Sequence, residues 1–218
     1  ASLLESCSQE FIDKLFSLKK ETDFKIIYDE VYTGFFKSKK MFYFQNFKND
    51  NIPDVICLSK TLGGGKSSIS CVVVDDDTYN KAYSKLSDTF LHTTTYNGFA
   101  EESLTALVAL NIIAEDNFKN KVQKLYEHLN IKLKIINEKH KNKIDEIKGT
   151  GILNGIVFKS IYSNLAKLIE FFPLEIIKDK AFFLKKITAM AIACELYEKH
   201  NILTTVNDSI NSNHLCVS

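Results

Sequence analysis

Three short apolar runs that end in polar residues constrain the fold of this chain more than any other feature. They lie in FKIIYDE at residues 24–30, PDVICLSK at 53–60 and SISCVVVDDD at 68–77. Runs of this kind are typical of strands buried on both faces of a parallel sheet. Because the segments between them do not resemble strands, the pattern predicts an α/β architecture with a mostly parallel sheet.

Helical patterns precede and follow these runs. Apolar residues recur at helical spacing over residues 3–20 and again in two long stretches from residue 100 onward. After them the sequence predicts a second α/β portion, which begins near Gly149 with one glycine-punctuated strand, KGTGILNGIVF. A helix near residues 181–199 and a last strand at 213–218 complete this portion.

The composition is that of an ordinary globular protein and argues against several classes of partner. The chain of 218 residues is 45% hydrophobic, and its formal net charge of +1 gives no electrostatic reason to bind nucleic acid or an anionic membrane. No apolar run approaches the length of a membrane span. The five cysteines lack metal-ligand spacing and indicate free thiols in a reducing compartment, so we expect a cytoplasmic protein without a metal site.

The segment LSKTLGGGKSS at residues 58–68 contains two lysines, and its glycines suggest a loop built around one of them. A nucleotide-binding P-loop, G-x-x-x-x-G-K-[ST], matches Gly65-Lys66-Ser67 but requires a glycine where Lys60 stands. The alternative is a lysine at the carboxyl end of a strand, where ligands of open α/β sheets bind. The apolar run before Lys60 favours this alternative and leaves Lys66 as a surface residue.

Asp29 ends the first predicted strand as Lys60 ends the second, and the pair indicates a specific chemistry. Burial lowers the pKa of a lysine, and the neutral amine then attacks carbonyl carbons. A lysine Schiff base together with an aspartate on the pyridinium nitrogen is the arrangement that serves pyridoxal 5'-phosphate. Taken singly, Asp29 would be a helix cap and Lys60 a solvated side chain. Their occurrence together and in this order is what makes them informative.

DEVYTGF, PDVICLSKTLGGG and LHTTTYNG occur in that order and resemble three motifs of the class III, PLP-dependent aminotransferases of the ornithine, acetylornithine, 4-aminobutyrate and putrescine type. IKGTGILNGIVF is similar to the strand that opens the C-terminal domain of that family. The resemblance implies a PLP-dependent transferase of fold type I. Residues 1–125 would be part of the large cofactor-binding domain, with its mostly parallel sheet, and residues 126–218 a small, truncated C-terminal α/β domain.

The resemblance also implies roles for individual residues. Lys60 would form the Schiff base with the cofactor and shuttle the substrate proton. Asp29 would pair with the pyridine nitrogen and keep it protonated. Val31, expected on the same strand face as Asp29, would pack against the ring. Tyr32 stands where the family often has a glutamine near the ring oxygen, and its hydroxyl would replace that group.

The same resemblance implies the partners. Thr95, together with Thr94, lies in a loop that crosses the dimer interface in the family, and would reach the cofactor phosphate of the neighbouring subunit in a homodimer with shared active sites. The small-molecule partners would be an amine or amino acid and a keto acid. The family's N-terminal half, which supplies part of the phosphate cradle, is missing, so we expect a C-terminal piece of a larger polypeptide.

The chain departs from the family pattern in its lack of arginine. All 28 basic residues are lysine. The family's G-R-T-G after the first motif is Phe36-Lys37-Ser38-Lys39, which has lost two glycines and the arginine. Cys216 stands where many members bind the substrate carboxylate with an arginine. A lysine or a different region would have to bind that carboxylate, because the bidentate arginine clamp is absent from this chain.

Three functional hypotheses remain open at this point. The first is transamination from an ω-amine or amino acid to a keto acid or aldehyde. The second is an aminomutase or epimerase, which would use the same lysine and aspartate. The third is a non-catalytic remnant, against which the joint presence of Asp29, Lys60 and Thr95 argues.

Overall fold

The computed structural model describes residues 4–48, 51–159, 175–206 and 214–217. The chain forms two compact units, one of residues Cys7–Gln123 and one that joins Ala1–Ser6 to Lys124–Ser218. In the described parts, no helix is long and apolar enough to cross a membrane.

The first unit alternates helices and short strands. Its helices are α1 (Gln9–Thr22), α2 (Asp76–Ala82), α3 (Ala100–Ala114) and the first part of α4 (Asp116–Lys139), and its strands are β1 (Ile27–Asp29), β2 (Val55–Leu58) and β3 (Cys71–Val74). Short 3-10 helices cover Tyr43–Asn46, Lys60–Gly63 and Leu86–Phe90. All three predicted strands therefore form where the apolar runs lie.

The three strands of this unit form one sheet in the order β1-β2-β3. β1 and β2 are parallel, with Asp29 opposite Cys57, whereas β2 and β3 are antiparallel, with Leu58 opposite Cys71. The predicted α/β class is confirmed, and the described sheet is mixed. The connection from β2 to β3 contains one short 3-10 helix and no crossover helix, which suits an antiparallel neighbour.

The main core of this unit lies between the sheet and α3. Its buried members are Phe35, Leu58, Leu62, Ala106 and Ile113, and Phe36, Ile56, Cys71 and Phe118 pack around them half-buried. Leu58 ends β2 and Leu62 lies one residue before the end of the 3-10 helix after Lys60. The same packing that stabilises the unit therefore positions the segment that carries Lys60.

The expectation that the strands are buried on both faces is wrong for the described residues. Ile27 is 62% exposed and Val72 50% exposed, although both are large and apolar. Asp29 lies two residues after Ile27 and so on the same face of β1, and it is exposed as well. The main core packs against the side of the sheet that carries Leu58, whereas Ile27 and Val72 lie on the other side.

The second unit contains an antiparallel sheet and two long helices. After the second part of α4 come β4 (Ile144–Thr150), β5 (Leu153–Phe158), α5 (Glu175–His200), β6 (Thr205–Val206) and β7 (His214–Val217). The described strands are ordered β4-β5-β7-β6, and all three pairings are antiparallel. The helix and last strand expected near residues 181–199 and 213–218 correspond to α5 and β7.

The single strand expected around Gly149 is in fact a hairpin of β4 and β5. Gly149 has φ 121°, and a Cβ there would lie 2.1 Å from the carbonyl oxygen of Leu153. Gly151, in the turn, has φ 64°. Both conformations favour glycine, so KGTG belongs to the end of one strand and the turn, and only the following residues form the second strand.

Candidate active site

The carboxyl ends of β1 and β2 place Asp29 and Lys60 at the same edge of the sheet. Asp29 is the last residue of β1 and is paired with Cys57, three residues before Lys60. The backbone N–H of Glu30 donates to the carbonyl of Cys57 at 3.0 Å, which continues the pairing just beyond the strand. Because the two strands are parallel, both chains leave the sheet on this side. We call this position the carboxyl edge.

Lys60 begins the 3-10 helix Lys60–Gly63 with a left-handed backbone, φ 49°. A residue with a Cβ pays a steric cost for this conformation, of about 1–2 kcal/mol. The neighbouring backbone is fixed from both sides: the hydroxyl of Ser59 donates to the carbonyl of Ile69 at 2.7 Å, and the N–H of Gly64 to the carbonyl of Thr61 at 2.9 Å. The glycine segment thus holds the chain around Lys60 in a defined turn.

The expectation of a buried lysine is wrong for the described structure, because the Lys60 side chain is exposed. Its ammonium group lies 5.9 Å from the centre of the Tyr32 ring. Within the described residues it has no carboxylate at ion-pair distance. The amine is therefore accessible from the uncovered side rather than enclosed.

Asp29 is exposed and only partly engaged. Its Oδ1 accepts a hydrogen bond from the backbone N–H of Val31 at 3.0 Å. Oδ2 has no hydrogen bond or ion pair with any described residue. Val31 follows the end of β1 and belongs to a turn, so the expectation that it shares a strand face with Asp29 is wrong. The structure instead shows its backbone orienting the Asp29 carboxylate.

Tyr32 links two lysines. Lys37 Nζ lies 5.4 Å and Lys60 Nζ 5.9 Å from the centre of its ring, distances at which a cation is attracted to an aromatic face. Partial burial lowers the pKa of the Lys37 ammonium, and the charge of Lys60 lowers it further. We call Tyr32, Lys37 and Lys60 the lysine cluster.

Glu30, next to Asp29, was missed by the sequence analysis and holds the carboxyl edge in shape. Its side chain is only 1% exposed. One carboxylate oxygen accepts a hydrogen bond from the hydroxyl of Thr33 and the other from the N–H of Phe44 at 2.9 Å. The motif DEVYTG contains two adjacent acids, and the sequence does not show which of them is buried.

The loop after β1 keeps backbone conformations that normally require glycine. Phe36 has φ 65° and Lys39 φ 80°, at the two positions where the family pattern has glycine. Ser38 between them is fully buried, and its hydroxyl donates to the carbonyl of Thr33 at 2.9 Å. Phe36 and Lys39 therefore adopt a conformation in which glycine would carry a smaller steric cost.

Thr94 and Thr95 lie apart from this group. Both are exposed and occupy the turn region after the 3-10 helix Leu86–Phe90. The carbonyl of Thr94 accepts from the N–H of Asn97 at 3.1 Å. Among the described residues, neither threonine shares a hydrogen bond with Asp29 or the lysine cluster. The structure thus brings Asp29, Tyr32 and Lys60 together and does not bring the threonines to them.

A concave feature lies in the C-terminal unit. It is a cavity of about 560 Å³ with mainly apolar walls, lined by Ile136, His140, Asn142, Lys143, Ile144, Ile156, Phe158, Lys159, Thr188 and Ile192. Its described lining offers no pairing of a carboxylate with a lysine. The carboxyl edge is therefore the better candidate for chemistry on a carbonyl compound.

The fold is that of known transaminases. It matches an S-selective transaminase from Arthrobacter sp. with alanine bound at 25% identity and TM-score 0.62, over 70% of this chain and 32% of that one. It matches a transaminase from the marine bacterium Virgibacillus at 22% identity and TM-score 0.73, and the ornithine δ-aminotransferase of Plasmodium falciparum at 21% and 0.71; each match covers 97% of this chain and 44% of the other. The chain spans less than half the length of these proteins.

The family model described as aminotransferase class-III matches residues 5–182. The chain belongs to the class III aminotransferase family, whose cofactor is pyridoxal 5'-phosphate. The donor set at the carboxyl edge fits this group. An exposed amine on Lys60 can take an aldehyde, and Asp29 presents a carboxylate oxygen that no described residue uses.

Proposed function

We propose that this chain carries the lysine and the aspartate of a transaminase site, which transfers an amino group from an ω-amine or amino acid donor to a keto acid or aldehyde acceptor. The observation that carries the proposal is the position of Asp29 and Lys60 at the ends of two paired parallel strands. Family membership supports transamination in general. The assignment of roles to individual residues is our proposal.

Lys60 Nζ would bind the aldehyde carbon of pyridoxal 5'-phosphate and, when free, carry the proton that leaves and re-enters the substrate carbon. Asp29 Oδ2 would accept a hydrogen bond from the protonated ring nitrogen, while the N–H of Val31 keeps Oδ1 in place. When bound, the cofactor supplies the electron sink that acidifies the substrate carbon. The Tyr32 ring would orient the Lys60 amine, and the Tyr32 hydroxyl would form a hydrogen bond with the ring oxygen of the cofactor.

We further propose that Cys7–Gln123 forms part of the cofactor-binding domain and that the second unit contributes the small C-terminal domain. The exposed Ile27 and Val72 support a covering element on the uncovered face of the sheet, because such a surface is unfavourable in water. The part of the longer relatives that this chain does not match would provide that cover.

We also propose a homodimer in which Thr94 and Thr95 reach the cofactor phosphate of the partner subunit. Support comes from helix α3, which is apolar on nearly all sides. Ala106 and Ile113 pack into the core, while Leu104 and Leu107 are more than half exposed. A helix that is apolar all round is normally buried, so a second surface is expected on this side. The free cysteines of the described parts suit a cytoplasmic location.

The experiment follows one half of the reaction with the purified native protein. An amine donor without any acceptor should convert the bound cofactor stoichiometrically to its aminated form with release of the donor's carbonyl product. A transaminase releases this product, whereas an aminomutase returns the amino group to it and an epimerase forms none. Lys60→Ala should abolish this conversion, whereas Lys66→Ala, a nearby exposed lysine of the same loop, should leave it unchanged. Conversion by Lys60→Ala at the normal rate would refute the role of Lys60.

A further inference from the structure

The lysine cluster contains one cation more than the proposed chemistry uses. Lys60 would react with the cofactor, but Lys37 has no role in that scheme. Its ammonium group lies 5.4 Å from the centre of the same Tyr32 ring. Both ammonium groups therefore lie near one ring, and the charge of Lys60 lowers the pKa of Lys37.

We propose that Lys37 binds the carboxylate of the amino acid or keto acid that reacts at Lys60. This inference rests on the proposed transamination, and it names the substrate class as carboxylate-bearing. It also supplies a cation in a chain that has no arginine.

The charge balance of the cluster supports the assignment. Within the described residues, neither Lys37 nor Lys60 has a carboxylate at ion-pair distance, so two ammonium groups lie 5.4 Å and 5.9 Å from the centre of one aromatic ring without a counter-charge. Lys37 is half-buried and Lys60 is exposed, so water screens the repulsion between their like charges only in part. An incoming carboxylate would relieve this repulsion and would accept the hydrogen bonds that Lys37 can donate.

The pKa of Lys37 is consistent with this role. Burial and the charge of Lys60 both lower the pKa of Lys37, because both disfavour its protonated form. An anion that binds the protonated form reverses the direction of this shift. Two titratable groups act on Lys37: Lys60 through its charge and Tyr32 through its ring.

The loop backbone holds Lys37 in a fixed place. Phe36 and Lys39 on either side have left-handed backbones, and the buried Ser38 is tied down twice. Its hydroxyl donates to the carbonyl of Thr33 at 2.9 Å, and its carbonyl accepts from the Asn46 side-chain amide at 3.1 Å. A cation whose backbone is fixed loses less conformational entropy on binding a ligand.

The first test needs neither turnover nor cofactor. The native protein is acetylated with acetic anhydride at pH 8, with and without glutarate, a dicarboxylate that has no amine or carbonyl group to react. Peptide mapping then gives the labelling rate of each lysine. Glutarate should slow the labelling of Lys37 and leave that of the exposed Lys66 unchanged. Equal rates at Lys37 with and without glutarate would overturn the proposal.

The second test measures glutarate binding by calorimetry in three variants. Lys37→Gln should weaken binding by about tenfold or more, because a hydrogen bond to a charged group is lost. Lys37→Arg should retain binding, since the guanidinium also pairs with carboxylates, and Lys66→Gln should behave as the wild type. Undiminished affinity in Lys37→Gln would contradict the proposal.

The outcomes separate this inference from the proposed function. If Lys37 is protected by glutarate while Lys60 carries no cofactor, the carboxylate site stands and transamination fails. If Lys60 carries the cofactor and glutarate has no effect on Lys37, transamination stands and the substrate carboxylate binds elsewhere.

Discussion

Asp29 lies opposite Cys57 in the parallel register of β1 and β2, and Cys57 lies three residues before Lys60, which follows the end of β2. This pairing, continued by the hydrogen bond from Glu30 N–H to the Cys57 carbonyl, is what brings the acid and the lysine to one edge. This position does not depend on a contact between Asp29 and Lys60. It depends on the register of β1 and β2, because each residue lies at or just beyond the end of its strand.

The left-handed backbone at Lys39 leads to a stability prediction. Lys39→Gly should raise the free energy of unfolding by about 0.5–1 kcal/mol, since the steric cost at φ 80° disappears while the entropy cost of a glycine offsets part of the gain. Urea unfolding measures the change. The matched control is Lys40→Gly. The backbone at Lys40 is not left-handed, so this variant should have a lower free energy of unfolding than the wild type. A loss of stability in Lys39→Gly would contradict the strain argument.

The buried carboxylate of Asp54 ties α1 to the start of β1. It accepts from the Lys19 ammonium at 2.6 Å and from the N–H of Ile26 at 2.7 Å. Burial alone would raise the pKa of Asp54, but these donors outweigh it and lower the pKa. Asp54→Asn should lower the free energy of unfolding by about 2 kcal/mol at pH 7. The control is Asp116→Asn, which should lower it little because the Asp116 side chain is 90% exposed.

The contribution of Asp54 should also depend on pH in a defined direction. Its pKa is lower in the folded chain than in the unfolded chain. The stabilisation is therefore fully present above the unfolded pKa of about 3.9 and is lost as the pH falls through the folded value. Urea unfolding of the wild type and of Asp54→Asn should show a difference that shrinks below pH 4. A difference that grows in acid would contradict this sign.

Glu30 offers a test of how the carboxyl edge is supported. In Glu30→Gln, the amide oxygen can still accept from Phe44 N–H and the amide nitrogen can donate to Thr33, whose hydroxyl also accepts. We expect a loss below about 1 kcal/mol. Glu30→Ala leaves the Thr33 hydroxyl and the Phe44 N–H without their acceptor and creates a cavity. It should lower the free energy of unfolding by about 3 kcal/mol. Thermal unfolding compares the two, and equal losses would show that the hydrogen bonds do not matter.

The sequence predicted the elements of the site better than their surroundings. The strand end at Asp29 followed from a short apolar run, since this pattern is local. The second strand was expected to end at Lys60 and ends two residues earlier, at Leu58. The exposure of Lys60 and Ile27 could not be foreseen, because burial depends on what packs over a strand. The left-handed backbones at Phe36 and Lys39 could not be predicted for a different reason. This conformation is usually predicted from glycine, and phenylalanine and lysine do not indicate it.

The measurement that tests the account most directly is borohydride reduction of the purified native protein, followed by peptide mapping with mass spectrometry. Reduction fixes a cofactor bound through a lysine to that lysine permanently. The account predicts a pyridoxyl group on Lys60 and none on Lys37 or Lys66. A pyridoxyl group on another lysine, or a cofactor-bearing protein with an unmodified Lys60, would contradict it.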